Sequence, residues 1–168
     1  MKVLTPYLLM ALFGFTGSAF WFPNCELTLS AMANVDQVPA FKFLWWTINL
    51  SNYKAESGLL LGFATAIGST FGSSFFYFMG RGALKVSKKV QEKIDKTDMS
   101  KYKRIGAPVI FVSSVTSVPP LSPLAVAAGI IKYRFWNYFF VSMAGKFIRF
   151  TIVVFASEGL VKLIKGLF

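Results

Sequence analysis

The stretch that most restricts the fold is Ile105–Ile131, IGAPVIFVSSVTSVPPLSPLAVAAGII, 27 residues without a charge between Arg104 and Lys132. Its length suits a bilayer, since about 20 helical residues at 1.5 Å each cross a hydrocarbon core of ~30 Å. Pro119, Pro120 and Pro123 fall near its middle, among Ser113, Ser114, Thr116, Ser117 and Ser122. An interior proline removes a helix hydrogen bond and clashes with the preceding turn, at about 3 kcal/mol or more. Unsatisfied backbone is costlier still in lipid, so a break at membrane depth must be buried in protein or line a wet cavity. The expectation is a helical hairpin that enters the membrane, breaks at the prolines and leaves by the face it entered.

Composition sets the rest of the chain in the same solvent. Only 15% of its residues are charged and the mean hydropathy is +0.56, whereas a soluble domain is about 25% charged. The reading is one integral membrane domain over residues 1–168, with a first half 1–80, a basic loop 81–104 and a second half 105–168. The net charge of +11 could suggest nucleic acid, but its distribution argues otherwise. Residues 1–80 carry three cations and three anions, residues 81–104 nine and three, and residues 105–168 six and one. That excess in one loop is the positive-inside pattern, which puts 81–104 in the cytoplasm and the chain in the cell membrane as a multi-pass protein, with no nucleic-acid partner. One cysteine, Cys25, and no histidine remove the disulfide framework, the commonest metal ligand and the usual general base. The seven acids, Glu26, Asp36, Glu56, Glu92, Asp95, Asp98 and Glu158, form no metal-ligand pattern. No cofactor and no enzymatic activity are expected.

The first apolar run, Val3–Phe22, ends at Pro23; Gly17-Ser18-Ala19 faintly imitates a signal-peptide cleavage region, but the run continues into the next motif and reads as mature protein. Glu26 follows in WFPNCELTLSAMA. A carboxylate in such a setting is either an interfacial group at a helix start or a buried functional one, and both readings stay open. Asn34–Glu56 is mixed, with Trp45, Trp46 and Tyr53 suited to an interface belt. Gly58–Gly80 is a clear span of 23 uncharged residues, and its Gly58, Gly62, Gly68 and Gly72 predict close helix packing. In the basic loop, Val86, Val90 and Ile94 recur every four residues, as in an amphipathic surface helix. The last span, about Phe135–Ala156, contains Lys146 and Arg149, three apart on one face and too deep to reach an interface easily, so an inward or wet face is expected.

Two internal echoes follow. FPNCELTLSAMA resembles VPPLSPLAVAAG, setting Pro23 over Pro119 and Glu26 over Ser122, and FMGR resembles MAGK, setting Arg81 over Lys146. Their offsets differ, 96 (119 − 23) against 65 (146 − 81), so the repeat is loose. With the 81–104 loop inside, the two halves run in opposite directions. That is the inverted-repeat transporter plan, in which broken helices meet near the midplane. The expected fold is therefore all-α, with two inverted repeats, each a proline-broken re-entrant hairpin followed by a transmembrane helix.

PNCELTLSAM, GSTFGSSFFYFMGR, KRIGAPVIFVSSVTSVPPLSPLAVAAG and AGKFIRF, in that order, resemble the DedA family, also called SNARE-associated or VTT-domain proteins. The resemblance implies two re-entrant hairpins in inverted orientation and a role in moving lipids between leaflets, either a polyprenyl phosphate or phospholipids. It also implies, for some bacterial members, proton-dependent envelope physiology. In its terms Glu26 takes the acidic position of the first hairpin, Arg81 the glycine-arginine motif, and Lys146 and Arg149 the second basic pair. The family's second hairpin often carries an arginine or an acid near its break, where this chain has Ser117 and Ser122.

The functional expectation is a flippase or scramblase for an anionic lipid. Lys146, Arg149 and the helix N-termini at Pro23 and Pro119–Pro120 would hold the headgroup, with Glu26 as counter-ion or proton carrier. Arg81 and Ser122 complete the candidate set. A proton-coupled small-ion transporter and a non-transporting membrane scaffold are the alternatives, and proton coupling and a homo-oligomer are left open.

Overall fold

The computed structural model describes residues 5–20, 25–34, 40–43, 46–49, 58–86, 92, 100–118 and 120–167. Helices α1 (Thr5–Phe20) and α2 (Cys25–Ala33) form a first pair. Strands β1 (Ala40–Phe43) and β2 (Trp46–Asn49) make a small antiparallel hairpin in which Phe43 faces Trp46 in register. Helix α3 (Gly58–Val86) follows, then α4 (Ser100–Thr116), α5 (Leu121–Ile130) and α6 (Phe135–Leu167). The described chain is thus helical apart from that hairpin, whose aromatic and β-branched residues favour strand. Of the expected amphipathic loop helix, Val86 closes α3, while Val90 and Ile94 lie outside the described residues.

Local chemistry explains the boundaries. Pro6 sits in the first turn of α1, where its missing N–H has no helical partner to lose. Glu26 sits in the first turn of α2, at the positive end of the helix dipole. Asn34 closes α2, its backbone N–H and side-chain Nδ2 both donating to the Ser30 carbonyl, at 3.2 and 2.9 Å. Helix α4 carries Pro108 internally and ends at Thr116. There the backbone turns through Ser117, at a left-handed φ of 61°. The Thr116 hydroxyl lies 2.8 Å from the Val112 carbonyl and accepts from the Val118 N–H at 3.2 Å, so it satisfies backbone on both sides of the break. Pro120 is the N-cap of α5. At the other end, Tyr133 N–H donates to Ala128 and Lys132 N–H to Gly129, a Schellman closure that holds Lys132 at a φ of 54°.

The two long helices organise the packing. Gly58–Gly82 of α3 and Phe135–Ser157 of α6 are long and apolar enough to cross a membrane. The apolar part of α4 (Gly106–Thr116) and helix α5 have 11 and 10 residues, about 15 Å each and half the depth of a bilayer core. Helix α3 packs against α1, α5 and α6, while α6 packs against α4, α2 and α3. Each long helix therefore carries the longer member of one pair and the shorter member of the other. The crossings are close where glycines meet backbone: Gly68 faces the Ala11 carbonyl and Gly72 that of Phe15 on α1, and Gly129 of α5 faces the Tyr77 carbonyl. On α6, a Cβ at Gly145 would stand 2.6 Å from Ser114 Cβ, so α4 and α6 touch only because Gly145 has none.

Polarity is distributed as lipid requires. Leu8, Leu12, Phe71, Phe75, Phe78, Trp136, Phe140, Ile152 and Phe155 are exposed, while Thr65, Ser69, Thr70, Ser73, Ser74, Ser113, Ser114, Ser142 and Lys146 are buried. Several of the buried hydroxyls return to their own helix, as when Thr65 donates to Leu61 and Thr70 to Ala66, at 2.8 and 2.7 Å. They are satisfied without water and small enough to let helices approach.

Candidate functional site

Lys146 lies eleven residues from either end of the apolar stretch Phe135–Ser157, at its midpoint. It is 6% exposed. An ammonium at the centre of a membrane helix costs about 2.5–3.5 kcal/mol on insertion scales, so its partners matter. Nζ donates to the Ser69 carbonyl at 2.6 Å and to Ser73 Oγ at 2.9 Å, both on α3. Neither partner carries charge. Ser69 reaches further, since its hydroxyl shares a 2.5 Å hydrogen bond with Ser18 of α1. One serine thus ties α1, α3 and the α6 lysine together.

Tyr138, Ser142, Lys146 and Arg149 form one stripe of α6, spaced four, four and three residues apart. Tyr138 donates to the Ser73 carbonyl at 3.3 Å and stacks on Tyr77 at 5.2 Å. One turn beyond Lys146, Arg149 is ion-paired through Nη2 with Glu26 Oε1, both side chains about one-third exposed or less. Cys25 precedes Glu26 at the start of α2, which packs on α6. The start of α2 therefore closes over a centre with two cations and one carboxylate. That centre holds a net positive charge at half the depth of the span, with its partly exposed side at the Glu26–Arg149 pair.

The structure brings together three of the residues expected from sequence: Glu26, Lys146 and Arg149. Glu26 stands in the first turn of α2 and pairs across to Arg149 of α6, with its side chain half-buried. Arg81 does not join them. Its Nη1 donates to Tyr77 OH at 3.1 Å, eight residues or about 12 Å of helix beyond Ser73. Ser122 is half-buried in the first turn of α5, and no described hydrogen bond links it to Lys146 or Arg149. Pro120 caps α5, but with Pro123 at its third position the helix start lacks two of its four free N–H groups. It is a poor anion cradle. Pro23 and Pro119 lie outside the described residues.

Sequence reading missed Ser69 and Ser73, the partners of Lys146. Their i, i+4 spacing beside Gly68 and Gly72 was visible, but small residues on a helix signal packing whether or not a cation lies opposite. Arg81 resembled Lys146 in its Gly-cation context, yet packing matches Gly145 to Gly72: they meet the carbonyls of Phe111 and Phe15 in α4 and α1.

A mostly helical protein with two membrane-length spans, an apolar exterior and a buried cationic centre belongs with the integral membrane proteins. The VTT domain matches residues 37–159, most of the chain, and the protein belongs to that family, whose domain defines the DedA membrane proteins. The match includes α3 to α6 up to Gly159 and so holds Lys146 and Arg149, while Glu26 precedes it. No curated protein and no solved structure matched the chain.

Proposed function

We propose that the protein is a multi-pass lipid transporter of the cytoplasmic membrane that moves an anionic headgroup, of a polyprenyl phosphate or a phospholipid, between leaflets. The observation that carries this reading is the cationic centre: a lysine at mid-span with no carboxylate on it among the described residues, one turn from an arginine whose carboxylate partner sits on a different helix. A charge so placed is costly, and functional sites are where such charges are kept. In the empty state Glu26 neutralises Arg149. A lipid phosphate competes for that guanidinium with two parallel N–H donors, and Lys146, with one N–H to spare, adds a second cation. The exposed apolar faces let the tail stay in hydrocarbon while the headgroup crosses. The chemistry is binding and release, with no covalent step.

The crossed packing supports the inverted-repeat reading. Exchanging α1, α2 and α3 for α4, α5 and α6 preserves the main pairings: α1 on α3 becomes α4 on α6, and α5 on α3 becomes α2 on α6, while the slighter contact of α2 with α3 has no counterpart of its size. In this reading α1–α2 and α4–α5 are re-entrant hairpins, and the half-depth lengths of α5 and the apolar part of α4 fit that role. The two hairpins are unequal, because only the first brings a carboxylate.

The test is leaflet exchange in reconstituted vesicles, comparing polyprenyl phosphate with ordinary phospholipids, with and without a pH gradient. Arg149→Ala and Glu26→Gln should each slow exchange. Wild-type rates from both folded variants would overturn the assignment. Ion flux without lipid exchange would instead identify a proton-coupled ion transporter.

A further inference from the structure

A second set of cations lies at the other end of the α3–α6 contact. Tyr77 OH donates to the Tyr133 carbonyl at 2.5 Å, and Arg81 Nη1 donates to that same hydroxyl at 3.1 Å. The guanidinium of Arg81 thus stands beside the peptide that joins Tyr133 to Arg134. Lys132 precedes them in its left-handed turn, and the side chains of Arg81, Lys132 and Arg134 are all exposed. Arg81 and Arg134 have no carboxylate partner among the described residues. Arg134 is also placed against expectation. Its carbonyl accepts the first bond of α6 from Tyr138 N–H at 3.1 Å, and the first turn of α6 holds no acid. A cation there opposes the positive end of the helix dipole, where an anion would be favoured.

The cations do not stand alone. Phe135 lies 5.1 Å from Phe78, and Trp136 stacks on Phe140 at 5.9 Å. Trp136 is 60% exposed, Phe140 56% and Phe78 54%. A partner that satisfies both parts must carry an anionic head and hydrocarbon together, because a soluble phosphate would leave the aromatic shelf in water. Indole and phenyl rings at the ends of membrane helices occupy the headgroup level, where phosphates accept from arginine.

We propose that Arg81, Lys132 and Arg134, with the shelf of Phe78, Trp136 and Phe140, form a binding collar for anionic phospholipid headgroups in the adjacent leaflet. It is separate from the Glu26–Arg149 centre: Arg134 and Lys146 stand twelve positions apart, about 18 Å of helix. The collar holds whether or not the protein transports lipid. It would enrich anionic lipid at one mouth of the molecule.

Trp136 reports the collar directly. In the full chain carrying Trp21→Phe, Trp45→Phe and Trp46→Phe, emission comes from Trp136 alone. Brominated phosphatidylglycerol should quench it with a several-fold higher relative affinity than brominated phosphatidylcholine. Arg81→Gln with Arg134→Gln should bring the two lipids close to parity. The unmodified chain gives a second readout, the anionic share of co-purified lipid by mass spectrometry, which should exceed that of the source membrane and fall in the double variant. Equal quenching in the parent protein overturns the proposal. So does a preference that survives the double substitution, or one removed by inorganic phosphate at constant ionic strength, which would mark a site for soluble anions.

Discussion

Replacing Lys146 with methionine separates what the ammonium does for the fold from what it does for an anion. At mid-span the charge costs about 2.5–3.5 kcal/mol. Part of that returns through its bonds to the Ser69 carbonyl and Ser73 Oγ, at 2.6 and 2.9 Å, since a hydrogen bond to a charged group contributes about 1.5–3 kcal/mol. Neither acceptor is stranded by the substitution. The Ser69 carbonyl keeps its place in the α3 ladder, and Ser73 Oγ still donates to the Thr70 carbonyl at 3.0 Å. Methionine matches the length of the lysine stem and brings no charge. Replacing whole buried ion pairs by apolar residues of similar volume runs from neutral to about 1–4 kcal/mol stabilising, because no charge is left stranded. Both acceptors of Lys146 are neutral, so Lys146→Met should likewise fold at least as stably as the parent. Transport should behave oppositely. Losing one charge-assisted contact to a phosphate, about 1.5–3 kcal/mol, slows exchange about 10- to 150-fold. Stability is read by denaturant titration of the purified protein in detergent, and transport by leaflet exchange of an anionic lipid. A folded Lys146→Met protein with parental exchange refutes the anion role. A variant destabilised by more than about 3 kcal/mol refutes the energetic argument, because the lysine would then be a structural pin.

Reversing the peripheral pair tests geometry rather than charge count. Glu26→Arg and Arg149→Glu alone should each destabilise the protein, and the double variant should recover a coupling of about 0.5–3 kcal/mol in a denaturant-based double-mutant cycle. Gly68→Val places side-chain atoms against the Ala11 carbonyl, and should cost at least about 1–3 kcal/mol, seen as faster proteolysis and a lower unfolding midpoint. Tyr77→Phe removes the donor to the buried Tyr133 carbonyl and the acceptor for Arg81. It should cost about 1–3 kcal/mol, and local hydrogen exchange at the α5–α6 turn should rise with it.

The sequence displayed the parts of this fold that depend on what a residue is unable to do. Prolines at 119, 120 and 123 forbid a plain helix, and the observed break between Thr116 and Leu121 falls among them. Lys146 and Arg149 stand far inside a long apolar run, and the first is buried while the second pairs across to α2. What stayed hidden depends on what residues meet. Ser69 and Ser73 become ligands of an ammonium only because α6 crosses α3 at their level, and nothing in their own segment encodes that crossing. Arg81 looked like a second site cation, whereas it holds a tyrosine that anchors the α5–α6 turn. The β1–β2 hairpin was read only as an interfacial aromatic stretch, because Trp, Phe and Ile serve a membrane belt and a strand equally well.

The crossed packing of the helix pairs has a consequence for how the chain is made. Helix α2 rests on α6, Glu26 pairs with Arg149, and Asn34 Nδ2 donates to Ser157 across 123 residues of chain. At about 5–20 residues per second, a ribosome needs roughly 6–25 s to reach the arginine after the glutamate has emerged. Through that interval α2 has α1 and α3 to lie against but not α6, where its larger contact with a long helix is made. The first half therefore completes its packing only when the last helix arrives, and a chain stopped short of Arg149 lacks both the Glu26–Arg149 pair and the Asn34–Ser157 hydrogen bond.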